Sequence, residues 1–106
     1  MLYNQINQYI WCDRIMSAVC EIGEISFIEL SSPDSKAVKL STLRGIFCYI
    51  TRDMCIHPDR AARLICRTRQ NVINQARKYA QYIQMKDKYT LGYYDRIMNI
   101  LNRYNQ

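Results

Sequence analysis

The chain has 106 residues and a formal net charge of +6. A chain of this length can bury a sizeable core without disulfides or metals, so we expect residues 1–106 to form a single domain. About half of the residues are hydrophobic, and only three glycines and two prolines are present. This composition excludes wholesale disorder and disfavours all-β folds, which need many turns.

The basic residues are concentrated in one part of the chain. Residues 44–88 carry ten basic and three acidic side chains, a net charge of +7, whereas residues 1–43 have a net charge of −2. Such a concentration is typical of a surface that faces nucleic-acid phosphates or, less often, an anionic membrane. A solvated basic face without a partner is the alternative.

The sequence contains no targeting or cysteine motif. The N-terminal residues lack a basic segment followed by an apolar run, and no window of about 20 residues is continuously apolar. We therefore expect a cytoplasmic protein without membrane contact. The five cysteines are odd in number and no two have C-x-x-C spacing, so we expect small buried thiols in a reducing compartment rather than disulfides or a zinc site.

The first third of the chain predicts one long and one short helix. Apolar residues at three- and four-residue spacings indicate an amphipathic helix over residues 3–22, and Gly23 is a plausible end for it. A short helix follows over about residues 25–31. The segment 31–36 is rich in turn-forming residues and predicts a loop.

A third helix is expected to extend from Ser41 or Thr42, either of which can cap it, to about Met54. Gly45 lies inside this helix, where glycine costs about 1 kcal/mol relative to alanine. A glycine at that cost often permits the close approach of a second helix.

The second half of the chain predicts three more helices. Pro58 suits the first position of a helix that ends near Cys66. Thr68 is the N-cap candidate of the next helix, which extends over about residues 69–85, and a last helix covers about residues 90–104. The expected fold class is therefore all-α, a compact bundle of five to six helices.

Residues 57–85 have the arrangement of a helix-turn-helix, in which the second helix enters the major groove of DNA. Val72, Ala76 and Tyr79 form its expected core stripe, and the opposite side is rich in arginine and amide side chains. Arginine pairs with guanine and asparagine or glutamine with adenine. A polar helix start chosen only for capping is the alternative. The residues expected to read bases are Thr68, Arg69, Gln70, Asn71 and Asn74.

Basic side chains around this tract are expected to contact DNA phosphates, which fix the position of the protein without reading sequence. These residues are Arg44, Arg60, Arg63, Arg67, Arg77 and Lys78.

The sequence offers no arrangement typical of an enzyme. His57 is the only histidine, and because a helix-starting proline follows it, we expect it to act as a cap rather than a catalyst. The carboxylates are scattered without metal-binding spacing. We therefore expect no metal, no cofactor and no small-molecule substrate.

Two stretches, Leu43–Met54 and Ala61–Val72, resemble the C-terminal DNA-binding domain of the bacterial replication initiator DnaA in order, spacing and helix starts. The resemblance spans about residues 15–80. It implies an all-helical fold close to that of the Trp repressor, in which Thr68–Asn71 read bases in the major groove and Arg67 directly precedes them.

The same resemblance implies that the loop at about Ser31–Leu43, with Lys36 and Lys39, lies near the adjacent minor groove. No G-x-x-x-x-G-K-[ST] motif for ATP binding occurs. The resemblance therefore implies a stand-alone domain of the kind that a phage or mobile element encodes.

The leading hypothesis is duplex DNA binding in replication initiation or transcription control. The alternative is a non-enzymatic protein-interaction or structural module, such as a dimeric adaptor in a phage or replication complex. In that case the apolar faces of the first and last helices would bury a partner or form a homo-oligomer.

Overall fold

The computed structural model describes residues 5–32 and 37–105. In these residues the secondary structure is entirely helical, which confirms the all-α prediction. The elements are α1 (Gln5–Gly23), α2 (Phe27–Ser31), α3 (Val38–Asp53), α4 (Pro58–Leu64), α5 (Arg69–Gln84), α6 (Lys88–Asn102) and a terminal 3-10 turn (Arg103–Asn105).

Four helices begin at a side chain that accepts a hydrogen bond from the backbone of the first turn. The N-cap residues are Ser26, His57, Thr68 and Asp87. The predicted capping roles of His57 and Thr68 are confirmed. Asp87 places the start of α6 at Lys88, slightly earlier than expected, because its carboxylate accepts from the backbone N–H of Thr90 at 3.0 Å.

The start of α3 differs from the prediction. The helix begins at Val38 after Ala37, which provides no side-chain cap. The backbone N–H of Ser41 donates to the carbonyl of Ala37 at 3.0 Å, so helical hydrogen bonding has already begun one turn before the expected cap. The prediction of Ser41 or Thr42 as the cap is therefore wrong, and Arg44 lies in the second turn of α3 rather than at its start.

Helix α3 forms the centre of the molecule. Residues 42–48 are all buried, and Phe47 is among the largest fully enclosed side chains. Helices α1, α5 and α6 pack around α3, while α4 packs mainly against α5. The radius of gyration of 12.6 Å agrees with the value of about 13 Å expected for a compact chain of this length.

The most extensive helix contact is the one between α3 and α5. A Cβ atom added at Gly45 would overlap the ring of Tyr79, which is itself buried. This confirms the expectation that Gly45 permits a close helix contact. The contact holds α5 against the core, which decides which side of α5 faces solvent.

Four helices end with a non-glycine residue in the left-handed conformation. The residues are Glu24, Cys55, Cys66 and Lys86, with φ between 53° and 61°. In each case the next N–H donates back to a carbonyl in the last turn, so these are Schellman-type ends. Helix α1 ends at Gly23 as predicted, but the left-handed conformation is adopted by the following residue.

Helices α1 and α6 pack against each other. The guanidinium of Arg14 lies over two rings, 5.0 Å from the centroid of Trp11 and 4.4 Å from that of Tyr104. Much of the apolar surface of the first and last helices is therefore used inside the molecule.

The cysteines differ in their surroundings. Cys12 and Cys48 are buried, and burial raises the pKa of both thiols to about 12. Cys55 and Cys66 are exposed at helix ends, so the expectation of buried thiols is wrong for these two. All five described thiols are free. Within residues 5–32 and 37–105, no helix is long and apolar enough to cross a membrane.

Candidate nucleic-acid interface

Helices α4 and α5 form a unit joined by residues 65–68. Ile65 is fully buried in this connection and anchors it to the core. On α5 the buried residues are Val72, Ala76 and Tyr79, as the sequence predicts. The opposite side of α5 therefore faces solvent, and the unit presents one polar helix surface.

The exposed start of α5 contains the residues that were expected to read bases. Thr68, Arg69, Gln70 and Asn74 are exposed, and Asn71 is half-buried. The Gln70 amide donates to the side-chain oxygen of Asn74 at 3.0 Å, and the Thr68 hydroxyl accepts from the backbone N–H of Asn71 at 3.1 Å. The hydroxyl thus caps the helix, whereas the two amides keep further donor and acceptor positions for a ligand.

Arg69 faces an acidic neighbour. Its Nε atom lies 3.8 Å from a carboxylate oxygen of Asp59 on α4, and both side chains are more than half exposed. Ion pairs in this setting contribute at most about 1 kcal/mol. The contact orients Arg69 along the α4–α5 junction without holding it firmly, so an anionic ligand can compete for it.

Two of the predicted phosphate contacts, Arg77 and Lys78, are exposed on α5. The Lys78 ammonium is 5.9 Å from the ring centroids of Tyr79 and Tyr82, which support it from one side. These two cations, together with Arg69, give the surface its positive charge. Arg63 is exposed on α4 but lines a small cleft with residues of α1, and its role as a phosphate contact stays a prediction.

Arg44 has a different role from the one predicted. Its side chain is only 7% exposed, and Nη1 donates to the carbonyl of Leu30 at the end of α2, at 2.8 Å. Burial, and to a lesser extent the nearby charge of Arg67, lower the pKa of this guanidinium. We correct the phosphate assignment of Arg44 to a structural one, because a residue so enclosed offers little surface to a nucleic acid.

Arg67 is also engaged within the protein. Its two terminal nitrogens donate to the carbonyls of Ser31 at 3.3 Å and Ser32 at 3.0 Å, and one of them also donates to the carbonyl of Ile65 at 3.1 Å. The side chain thereby ties the end of α2 to the connection before α5. Arg67 stabilises the start of the polar helix surface, and its role as a phosphate ligand stays a prediction.

Arg60 packs against α1. Its guanidinium lies 3.8 Å from the ring centroid of Tyr9, and Nη1 donates to the side-chain oxygen of Gln8 at 3.0 Å. Arg60 is therefore engaged with α1, and its role as a phosphate contact stays a prediction.

The expected minor-groove loop is only partly described. Lys36 lies outside the described residues. Lys39, which was expected in the same loop, is in the first turn of α3 and is half-buried. The predicted loop over residues 31–43 is therefore too long, because Ser31 ends α2 and α3 begins at Val38.

A polar cleft of about 220 Å³ lies between α3 and α5 and includes a residue that the sequence reading missed. Gln75 lines it one turn after Asn71, on the same side of α5. The sequence could have indicated Gln75, because it lies four positions after the predicted base contact Asn71, and residues at that spacing are neighbours on a helix surface. No acidic side chain among the described residues lines this cleft. The cations in its walls are Arg44, Arg67 and Lys78.

The chain matches no family model, and no curated protein matches it at a significant level. The α4–α5 surface itself is therefore the main guide to function.

Proposed function

We propose that the chain binds double-stranded DNA through α4 and α5, with α5 in the major groove. The observation that carries the proposal is the outer side of α5, where arginine and amide side chains are exposed at the helix start and the cations Arg77 and Lys78 follow about two turns later. In helix-turn-helix proteins the N-terminal residues of the second helix contact base edges, and cationic side chains contact phosphates.

The side chains at the start of α5 are better suited to contacts with DNA bases than to solubility alone. Gln70 and Asn74 lie one turn apart and are hydrogen-bonded to each other, so they present one joined set of amide donors and acceptors. Amide side chains pair with adenine, and Arg69 is suited to guanine. A helix surface selected only for solubility usually carries glutamate and lysine, and the exposed side of α5 has no acidic residue.

The resemblance of residues 43–72 to the DnaA DNA-binding domain supports the same proposal. It favours a role in replication initiation or transcription control, as in a phage or mobile element. We place the protein in the cytoplasm, where DNA is accessible and where free thiols remain reduced.

The first test is the salt dependence of binding to a random-sequence duplex. Affinity should fall steeply with rising salt, because each neutralised phosphate contributes about 0.9 to the slope of log affinity against log salt. Lys78→Gln should reduce the slope by about one. Binding can be followed by fluorescence anisotropy of a labelled duplex.

The matched control is Arg96→Gln, which removes an exposed arginine of α6 outside the α4–α5 surface. It should leave the slope unchanged. Salt-independent binding, or an equal loss of slope in the two variants, would contradict the proposed surface.

A protein-interaction module is the second candidate, and exposed apolar side chains favour it. Ile28 is 77% and Val38 71% exposed, and Phe27 on α2 is also exposed. On α1, Tyr9 and Ile10 remain exposed despite the packing against α6. A stable homodimer in analytical ultracentrifugation, combined with no duplex binding at low salt, would favour this function over DNA binding.

A further inference from the structure

A second cleft lies between the end of α3, the start of α4 and α5. Its volume is about 300 Å³, larger than that of the polar cleft. Ile56, Val72 and Ala76 are buried side chains in its lining, and Pro58 and Ile73 are half-buried. The cleft therefore has an apolar floor that remains open to solvent.

Two arginines flank this floor. Arg52 comes from the last turn of α3 and Arg77 from the middle of α5, and both are exposed. Among the described residues, neither side chain takes part in an ion pair or a hydrogen bond. The Thr51 hydroxyl, which also lines the cleft, is already used because it donates to the carbonyl of Cys48 at 2.9 Å.

The described lining of the cleft contains no acidic side chain, so its two positive charges are not compensated. An inorganic anion would leave the apolar floor uncovered, whereas a neutral apolar molecule would make no contact with the charge of the two arginines. A ligand that satisfies both features needs an apolar body and an anionic group. Arginine binds both carboxylates and phosphates with two parallel hydrogen bonds, and the small volume of the cleft favours the smaller group, a carboxylate.

We propose that this cleft binds a small organic carboxylate, with the apolar body on the floor and the carboxylate at Arg52 and Arg77. Small-molecule sites usually have volumes of about 300–1,000 Å³. The cleft is at the lower end of that range, so the ligand is of the size of a single aromatic or branched aliphatic acid.

Because of where the cleft lies, a bound ligand should change the affinity for DNA. This consequence rests on the proposed function. The cleft is walled by both helices of the α4–α5 unit, and Arg77 is one of its proposed phosphate contacts. A carboxylate bound at Arg77 occupies a side chain that would otherwise contact a DNA phosphate. Ligand binding should therefore weaken duplex binding.

The site is tested without DNA, by titrating the ¹⁵N-labelled full chain with phenylacetate in two-dimensional NMR. The amides of Ile56, Ile73 and Ala76 should shift together and saturate, with a Kd of about 1 mM or lower. Arg52→Gln and Arg77→Gln should each weaken binding at least about tenfold, since each removes a charged hydrogen-bond donor. Arg96→Gln should have no effect.

Phenylacetamide is the matched control ligand, because it has the same size and shape without the charge. It should bind at least about tenfold more weakly than phenylacetate. Equal binding of the two ligands, or shifts confined to other parts of the chain, would overturn the proposal even if a variant failed to fold. Because no duplex is present, this result is independent of whether the chain binds DNA.

Discussion

Gly45 and Tyr79 determine how closely α3 and α5 approach. The tyrosine ring occupies the space that a side chain at Gly45 would need. The energy lost by placing glycine in a helix is offset by packing of a buried aromatic ring. Adding a single methyl group at Gly45 should therefore displace α5, the helix that carries the candidate interface.

We expect Gly45→Ala to lower the free energy of unfolding by about 1–3 kcal/mol, because overpacking forces α3 and α5 apart. Gly92→Ala is the matched control, since a Cβ atom at Gly92 on α6 meets no neighbour within 4 Å. It should raise the free energy of unfolding by about 0.5–1 kcal/mol. Urea unfolding measures both, and equal changes in the two variants would rule out the proposed Tyr79 overlap.

Individual side chains were the least predictable part of the site. In the sequence, Arg44, Arg67 and Lys78 look equally like basic residues near α5. Only the fold brings the end of α2 to the first two, whose guanidinium groups then bind its carbonyls. Because this contact joins residues that are distant in the chain, no local pattern separates a structural arginine from a phosphate ligand.

At the scale of helices, the starts were more predictable than the ends. The starts of α4 and α5 are determined by local chemistry, with Pro58 in the first turn of one and Thr68 capping the other. The helix ends are harder to predict from the sequence, because glycine is the usual signal for a left-handed helix end. Here residues such as Cys66 and Lys86 occupy these positions, and no glycine in the described chain has a positive φ. The start of α3 was missed because Ala37 gives no capping signal.

The left-handed helix ends lead to a stability prediction. Lys86→Gly should raise the free energy of unfolding by about 0.5–1 kcal/mol, because a side chain in this conformation is strained and glycine is not. Gln81→Gly, at an exposed interior position of α5, should lower it by about 1 kcal/mol. Thermal unfolding of the two variants decides the matter: a loss of stability in both would show that Lys86 is not strained.

In the complete fold, the basic middle of the chain is divided between two exposed surfaces with proposed functions and one pair of arginines used inside the protein, which we call the internal clamp. The outer side of α5 carries the proposed base and phosphate contacts, and the apolar cleft carries Arg52 and Arg77. The clamp is formed by Arg44 and Arg67. Charge counting predicted a basic surface, but it did not predict this division, because the division depends on how α2 and α3 pack.

If the exposed residues at the start of α5 read DNA sequence, selection of bound duplexes from a random pool should reveal it. The wild-type chain should enrich a defined motif. Arg69→Ala and Asn74→Ala should each relax preference at one position, at a cost of about 1–3 kcal/mol. The control Asn99→Ala, on the exposed side of α6, should leave the motif intact. Failure of the wild type to enrich any motif, or an unchanged motif in both α5 variants, would contradict the account.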